Sequence, residues 1–197
     1  MPIFLDDADY RQFVYVLGDI VEQFDIQCWN YCLMPNHYHA TLQPTRANLS
    51  EAIRCLHSHY AQWWNRRHQR IGHVFQGRFK AQIVDRETYL FAVSRYVVLN
   101  PVRARLVERP EDWVWSSYRA TVGLGHAPSF LSTSLTLRLF GGGDDGEPQL
   151  KFAGFVTGVT EDPTRLDRIR SNEPILGPRE FKDAVALRDW GQPPSSA

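Results

Sequence analysis

His37 and His39 stand two residues apart in Leu33-Met34-Pro35-Asn36-His37-Tyr38-His39-Ala40-Thr41-Leu42. In a strand from His37 to Leu42 both side chains point to one face, because strand side chains alternate. Two imidazoles side by side are half of a metal site. A second His-x-His, His57-Ser58-His59, falls in an expected helix. Residues two apart on a helix lie about 200° apart around its axis, so this pair cannot chelate one ion. It is assigned to packing or to the solvent face.

Tyr96 and Asn100 are four residues apart in an expected helix, so they share a face one turn apart. Taken singly, Tyr96 reads as a core tyrosine with a satisfied hydroxyl, and Asn100 as a helix stop before Pro101. Taken with the histidines, they describe a reaction. Two imidazoles and an amide oxygen can hold a divalent cation with positions open for phosphate oxygens. A tyrosine hydroxyl, with an ordinary pKa of about 10, can attack phosphorus and form a covalent phosphotyrosine. Mixed nitrogen and oxygen ligation suits Mn²⁺ better than Mg²⁺, although Mg²⁺ is the more available ion.

The elements around these residues follow from pattern. Asp6 or Asp7 can cap a helix to about Phe24, with Phe13, Leu17, Ile20, Val21 and Phe24 at helical spacing. Ile26 to Leu33 and His37 to Leu42 read as a hairpin around Pro35-Asn36. Asn48-Leu49-Ser50-Glu51 has the spacing of a capping box and opens a helix to about Arg67. Gln76 to Val84 reads as a strand. Asp85 caps a helix from Arg86 to Leu99, which Pro101 interrupts before a short helix from Val102 to Val107. Gly141 to Pro148 reads as a flexible acidic linker. Pro178-Arg179-Glu180 opens a last helix through Trp190, and Gln192 to Ala197 should be disordered. The order helix, strand, strand, helix, strand, helix indicates a two-layer α+β domain.

Composition sets bounds on partners. The formal net charge is zero and 43% of residues are hydrophobic, enough for a core with no overall pull towards any polyion. No apolar run approaches the about 20 residues that span a bilayer. The N-terminus lacks the pattern of a secretory signal. Cys28, Cys32 and Cys55 form no CxxC pair, and Cys28 and Cys32 lie about 13 Å apart along an extended strand. They read as reduced thiols of a cytoplasmic protein. Zero net charge hides a local asymmetry: Arg54 to Lys80 holds six basic residues and no acidic one. These are Arg54, Arg66, Arg67, Arg70, Arg78 and Lys80, interleaved with Tyr60, Trp63, Trp64, Phe75 and Phe79. Cations that track phosphates and rings that stack on bases suit single-stranded nucleic acid.

The chain resembles the HUH endonucleases, whose motif is histidine, bulky apolar residue, histidine. Within them it resembles the REP-associated tyrosine transposases, relatives of the single-strand insertion-sequence transposases. The resemblance rests on Leu33–His39, Phe75-Gln76-Gly77-Arg78-Phe79-Lys80, Tyr96–Ala104 and Trp113-Val114-Trp115-Ser116-Ser117-Tyr118. It implies a ferredoxin-like or RRM-like antiparallel sheet with helices on one side. It runs from about residue 3 to 125, so the chain reads as a domain over residues 1–125, a linker at 126–148 and a helical extension with a disordered tail at 149–197. His37 and His39 would bind a divalent metal, Mg²⁺ or Mn²⁺, with Asn100 as third ligand. Tyr96 would be the nucleophile that keeps the 5′ phosphate of a cut single strand. The implied substrate is single-stranded DNA bearing hairpins, such as repetitive palindromic elements, met by a monomer or homodimer away from membranes. The family pattern has one more strand ahead of Pro2-Ile3-Phe4-Leu5, central in the sheet and paired with the His37–His39 strand. Two other readings stay open: a non-catalytic nucleic-acid-binding relic, and a metal-dependent phosphodiesterase that uses water.

Overall fold

The computed structural model of the chain describes residues 2–141, 146–158, 163–171 and 173–186. They fall into two units, Met1–Arg78 with Ser94–Val159, and Phe79–Val93 with Thr160–Ala197.

The first unit begins at Asp6. Its Oδ1 accepts from the amides of Ala8 at 2.9 Å and Asp9 at 3.3 Å, two of the donors that every helix start leaves without a partner. Helix α1 (Asp7–Gln23) then buries Phe13, Leu17, Ile20 and Val21, the stripe its periodicity predicts. Strands β1 (Ile26–Met34) and β2 (His37–Pro44) pair antiparallel, with Cys32 opposite His39 and Asn30 opposite Thr41. Trp29 is the extra residue of a bulge between Cys28 and Asn30, and its carbonyl accepts from Thr136 Oγ1 at 3.1 Å. The second edge of β1 is covered by later chain. The amide of Leu33 donates to Trp115 O at 2.9 Å, that of Ser117 to Tyr31 O at 3.0 Å, and that of Ser132 to Cys28 O at 2.8 Å. Eight of the nine β1 residues are therefore buried, which is why the strand alternates so weakly in sequence.

Helix α2 (Leu49–His68) buries Ala52, Ile53, Leu56, Tyr60 and Trp64. The capping box expected at its start does not form. Asn48 Nδ2 instead donates to Phe24 O at 2.9 Å, tying the start of α2 to the end of α1. Helix α3 (Leu90–Arg103) starts one turn later than predicted, after a turn in which Asp85 Oδ2 accepts from the Thr88 amide at 3.1 Å. It also runs through Pro101, so the break expected there is absent. Pro101 cannot donate to Val97 O; the Asn100 side chain reaches that carbonyl at 3.4 Å. Arg105, at φ 57°, ends the helical path.

The fold is α+β, with the helical C-terminal region expected. Its antiparallel sheet has two strands among the described residues, β1 and β2, narrower than a full ferredoxin-like sheet. The other edge of β2 has no strand partner among them. Helices also lie on both faces of the hairpin. Phe13 of α1 and His57 of α2 meet Tyr38 on one face, and Tyr96 of α3 meets His39 on the other.

Residues 126–148, expected as a linker, contain helix α5 (Thr133–Arg138), which follows the short α4 (Tyr118–Thr121). Helix α6 (Glu147–Thr157) buries Phe152 and Val156 against Val98 and Tyr118, so its packing joins it to the first unit rather than to a separate extension. Residues 142–145 of the expected linker lie outside the described residues.

In the second unit, the predicted strand Gln76–Val84 shrinks to β3 (Ile83–Val84). It pairs parallel with β4 (Ile175–Leu176), beside α7 (Pro163–Arg170) and α8 (Arg179–Ala186). Gly177 is required there, because a Cβ would collide with the Phe181 ring. The remainder of the last predicted helix and the tail from Gln192 lie outside the described residues. No helix among the described residues is long and apolar enough to cross a membrane.

Candidate active site

The two histidines converge. His37 Nε2 and His39 Nε2 are 3.1 Å apart, with the rings nearly perpendicular at 89°. Two nitrogens each about 2.0–2.1 Å from one ion, at roughly a right angle, would be about 3 Å apart. Asn36 Oδ1 lies 2.7 Å from His37 Nδ1. That carbonyl can only accept, so the proton sits on Nδ1 and the Nε2 lone pair faces His39. Burial lowers the His37 pKa. Burial, aided by His37, lowers that of His39 to about 4. Both rings are therefore neutral at pH 7, the form that binds metal. Among the described residues no three His, Cys, Asp or Glu side chains gather to hold an ion. Among the described residues, a further ligand would therefore be an amide or hydroxyl oxygen, beside substrate or water oxygens. The spacing and the neutral nitrogens of the pair fit a divalent cation.

Helix α3 is fastened to this face by a buried polar link. Asn30 of β1 is 2% exposed. Its Nδ2 donates to Ser94 Oγ at 3.0 Å, and its Oδ1 accepts from Thr41 Oγ1 at 2.8 Å. Two residues after Ser94, the half-buried Tyr96 ring packs edge-on to His39 at 5.6 Å and 82°. The predicted nucleophile and one predicted metal ligand are thus brought together. Asn100 sits one turn on, where its Nδ2 donates to Tyr96 O at 2.8 Å. Its Oδ1 is the atom suited to a cation.

The opposite face of β2 is closed by packing. Tyr38 OH lies 2.9 Å from His57 Nε2, and burial pushes the Tyr38 phenol well above its ordinary range. His57 stacks on Phe75 at 4.0 Å, and its burial lowers its pKa to about 4. His59 is exposed. The packing role assigned to His57-Ser58-His59 matches this geometry.

The basic residues divide. Arg54, Arg66, Arg70, Arg78 and Lys80 are exposed. Arg54 makes only a loose pair with Glu51 at 3.7 Å, and Arg70 lies over the Trp64 ring at 5.9 Å. Arg67 is engaged differently. Its guanidinium pairs with Asp6 at 2.7 Å and with the fully buried Asp9 at 2.5 Å. His68 Nε2 lies 2.9 Å from the same Asp9 carboxylate. Arg67 joins the start of α1 to the end of α2, so its charge is already matched within the protein.

Three supporting residues escaped the sequence reading: Asn30, Ser94 and Asn36. The signal for Asn30 was a polar residue between Trp29 and Tyr31 in an apolar strand. The signal for Asn36 was an amide adjoining a histidine.

Residues 2–100 match the family model described as Transposase IS200 like. The matched span includes His37, His39, Tyr96 and Asn100. No curated protein and no solved structure matches the chain.

Proposed function

The chain belongs to the IS200-like transposase family, and on that premise we propose that it cleaves and rejoins single-stranded DNA through Tyr96. The observation that carries this reading is the placement of the Tyr96 ring against His39, whose Nε2 converges with that of His37. Tyr96 Oη attacks a phosphodiester, the new bond forms to phosphorus, and the bond to the 3′ oxygen breaks. The phenolic proton passes to solvent, and the departing 3′ oxygen takes one up. The 5′ phosphate stays on the enzyme until a 3′ hydroxyl reverses the step. A divalent cation, when bound, neutralises charge on the phosphate and favours the leaving oxygen. His37, His39 and Asn100 are the residues that would hold it. The exposed Arg54, Arg66, Arg70, Arg78 and Lys80 are the proposed contacts to the DNA backbone. Repetitive palindromic elements, which fold into hairpins, are the proposed substrate class.

A labelled hairpin oligonucleotide incubated with the protein and Mn²⁺, then run on a denaturing gel, tests this. A covalent adduct that vanishes in Tyr96→Phe is expected. An adduct that persists in Tyr96→Phe overturns the nucleophile assignment. The outer edge of β2, which has no strand partner among the described residues, favours a second reading, a relic that binds nucleic acid without cutting it. It predicts salt-sensitive binding with no adduct on the same gel.

A further inference from the structure

Arg103 has no part in the site described so far; it lies in the Tyr96–Ala104 motif, three residues past the span that matches the family model. It stands seven residues after Tyr96 on α3, two helical turns along the same face. Its side chain folds back over those turns. Nη1 donates to Tyr96 O at 3.1 Å, and the guanidinium carbon lies 5.1 Å from the centre of the Tyr96 ring. The ring is therefore bracketed, with His39 at its edge and a cation over its face. The other arginine of this helix within the first unit shows that such placement is not automatic. Arg95 is 6% exposed and is spent on the core, donating to Val156 O at 3.1 Å and to Gly158 O, with Phe155 under its guanidinium.

We propose that Arg103 positions the Tyr96 ring and supplies the fixed positive charge beside which the tyrosyl phosphate forms. This rests on the reading of Tyr96 as nucleophile. When Tyr96 Oη bonds to phosphorus, negative charge gathers on the non-bridging oxygens. A preorganised guanidinium stabilises that charge without reorganising. Its planar fork suits paired phosphate oxygens in a way that an ammonium does not. The cation–π contact also stops the ring swinging away from His39 before substrate arrives. Residue Arg103 is thus assigned two linked tasks by one placement, and both are lost with the guanidinium.

The test uses the full chain with Arg103→Gln and Arg103→Lys. Single-turnover adduct formation is measured at saturating hairpin oligonucleotide and Mn²⁺, binding of the same oligonucleotide is measured separately, and Tyr96 ring signals are read by NMR in the DNA-free protein. Arg103→Gln should slow adduct formation about 10²-fold, the scale of losing one donor to a developing oxyanion. Binding should stay within about threefold, and Arg103→Lys should recover part of the rate. The Tyr96 ring signals should move in Arg103→Gln while the melting temperature holds. A rate within twofold of wild type, or a fall fully explained by weaker binding, overturns the proposal. If the wild-type protein forms no adduct, the tyrosine chemistry fails. The NMR result then judges Arg103 alone, and unchanged Tyr96 signals in Arg103→Gln overturn its hold on the ring. Should Arg103→Gln not fold, Arg103→Lys carries the same comparison, with a rate equal to wild type counting against the planar fork.

Discussion

Tyr38 and His39 are neighbours in the chain and lie on opposite faces of one strand. The Tyr38 face is closed by α1 and α2: Phe13 packs on its ring, and its hydroxyl is matched to His57. The His39 face meets α3, and there a phenol, two imidazoles and a guanidinium come together. The residue types are similar on both faces: a tyrosine with one histidine on the first, a tyrosine with two histidines on the second. What separates the two faces is convergence. His57 has one partner and a stacked ring, whereas His37 and His39 aim two nitrogens at one point.

That contrast can be broken most sharply by removing each phenol oxygen. Tyr96→Phe should abolish the covalent adduct outright. Tyr38→Phe should keep the adduct and cost about 1 kcal/mol of stability, the worth of one hydrogen bond, read by urea melts. The opposite pattern would exchange the roles of the two faces.

The histidines give the next largest effect. His39→Ala should abolish Mn²⁺-dependent cleavage and weaken Mn²⁺ binding, measured by calorimetry, while leaving the melting temperature within a few degrees. His57→Ala should instead lower stability by about 1–3 kcal/mol through the hydroxyl it strands and the Phe75 contact it loses. Cleavage per folded molecule should persist. Asn36→Ala tests the support of His37. Losing an outer-sphere partner of this kind typically costs about 10- to 100-fold in metal affinity.

Much of this site could be read from the sequence because it depends on spacing. Strand alternation puts His37 with His39, and the helical turn separates His57 from His59. Helical spacing alone puts Tyr96 with Asn100. What could not be read depends on contacts between distant segments. Asn30 looks out of place in an apolar strand until Ser94 and Thr41 are seen to satisfy its amide. The Trp29 bulge is invisible without the distant Thr136 hydroxyl that donates to its carbonyl. Pro101 should have ended α3, but the Asn100 amide reaches the carbonyl that the proline leaves without a donor. The Gln76–Val84 alternation overstated the strand, because only Ile83 and Val84 find a pairing partner, and it comes from residues 175–176.

Removing the link that carries α3 gives a smaller effect, on stability first. Asn30→Leu leaves the Ser94 and Thr41 hydroxyls without their buried partner. It should cost about 1–3 kcal/mol in a denaturant melt and slow adduct formation by loosening Tyr96. The smallest effect is one of pH. The His57 pKa is lowered from 6.5 to about 4. Between those values the unfolded chain binds a proton that the fold refuses. Stability from this source is therefore full above about pH 6.5, and it falls as the pH drops towards 4. His39 is lowered to about 4 as well and acts with the same sign. His57→Gln should accordingly make the acid limb of a stability-versus-pH curve shallower without flattening it.

The central claim is that the His39 face, not the Tyr38 face, holds the nucleophile. Peptide mapping by mass spectrometry of the protein trapped on a hairpin oligonucleotide with Mn²⁺ tests it most directly. A nucleotide-bearing peptide containing Tyr96, with the Tyr38 peptide unmodified, is the result expected. Strand cleavage with every tyrosine unmodified, or with the adduct on another residue, would contradict it.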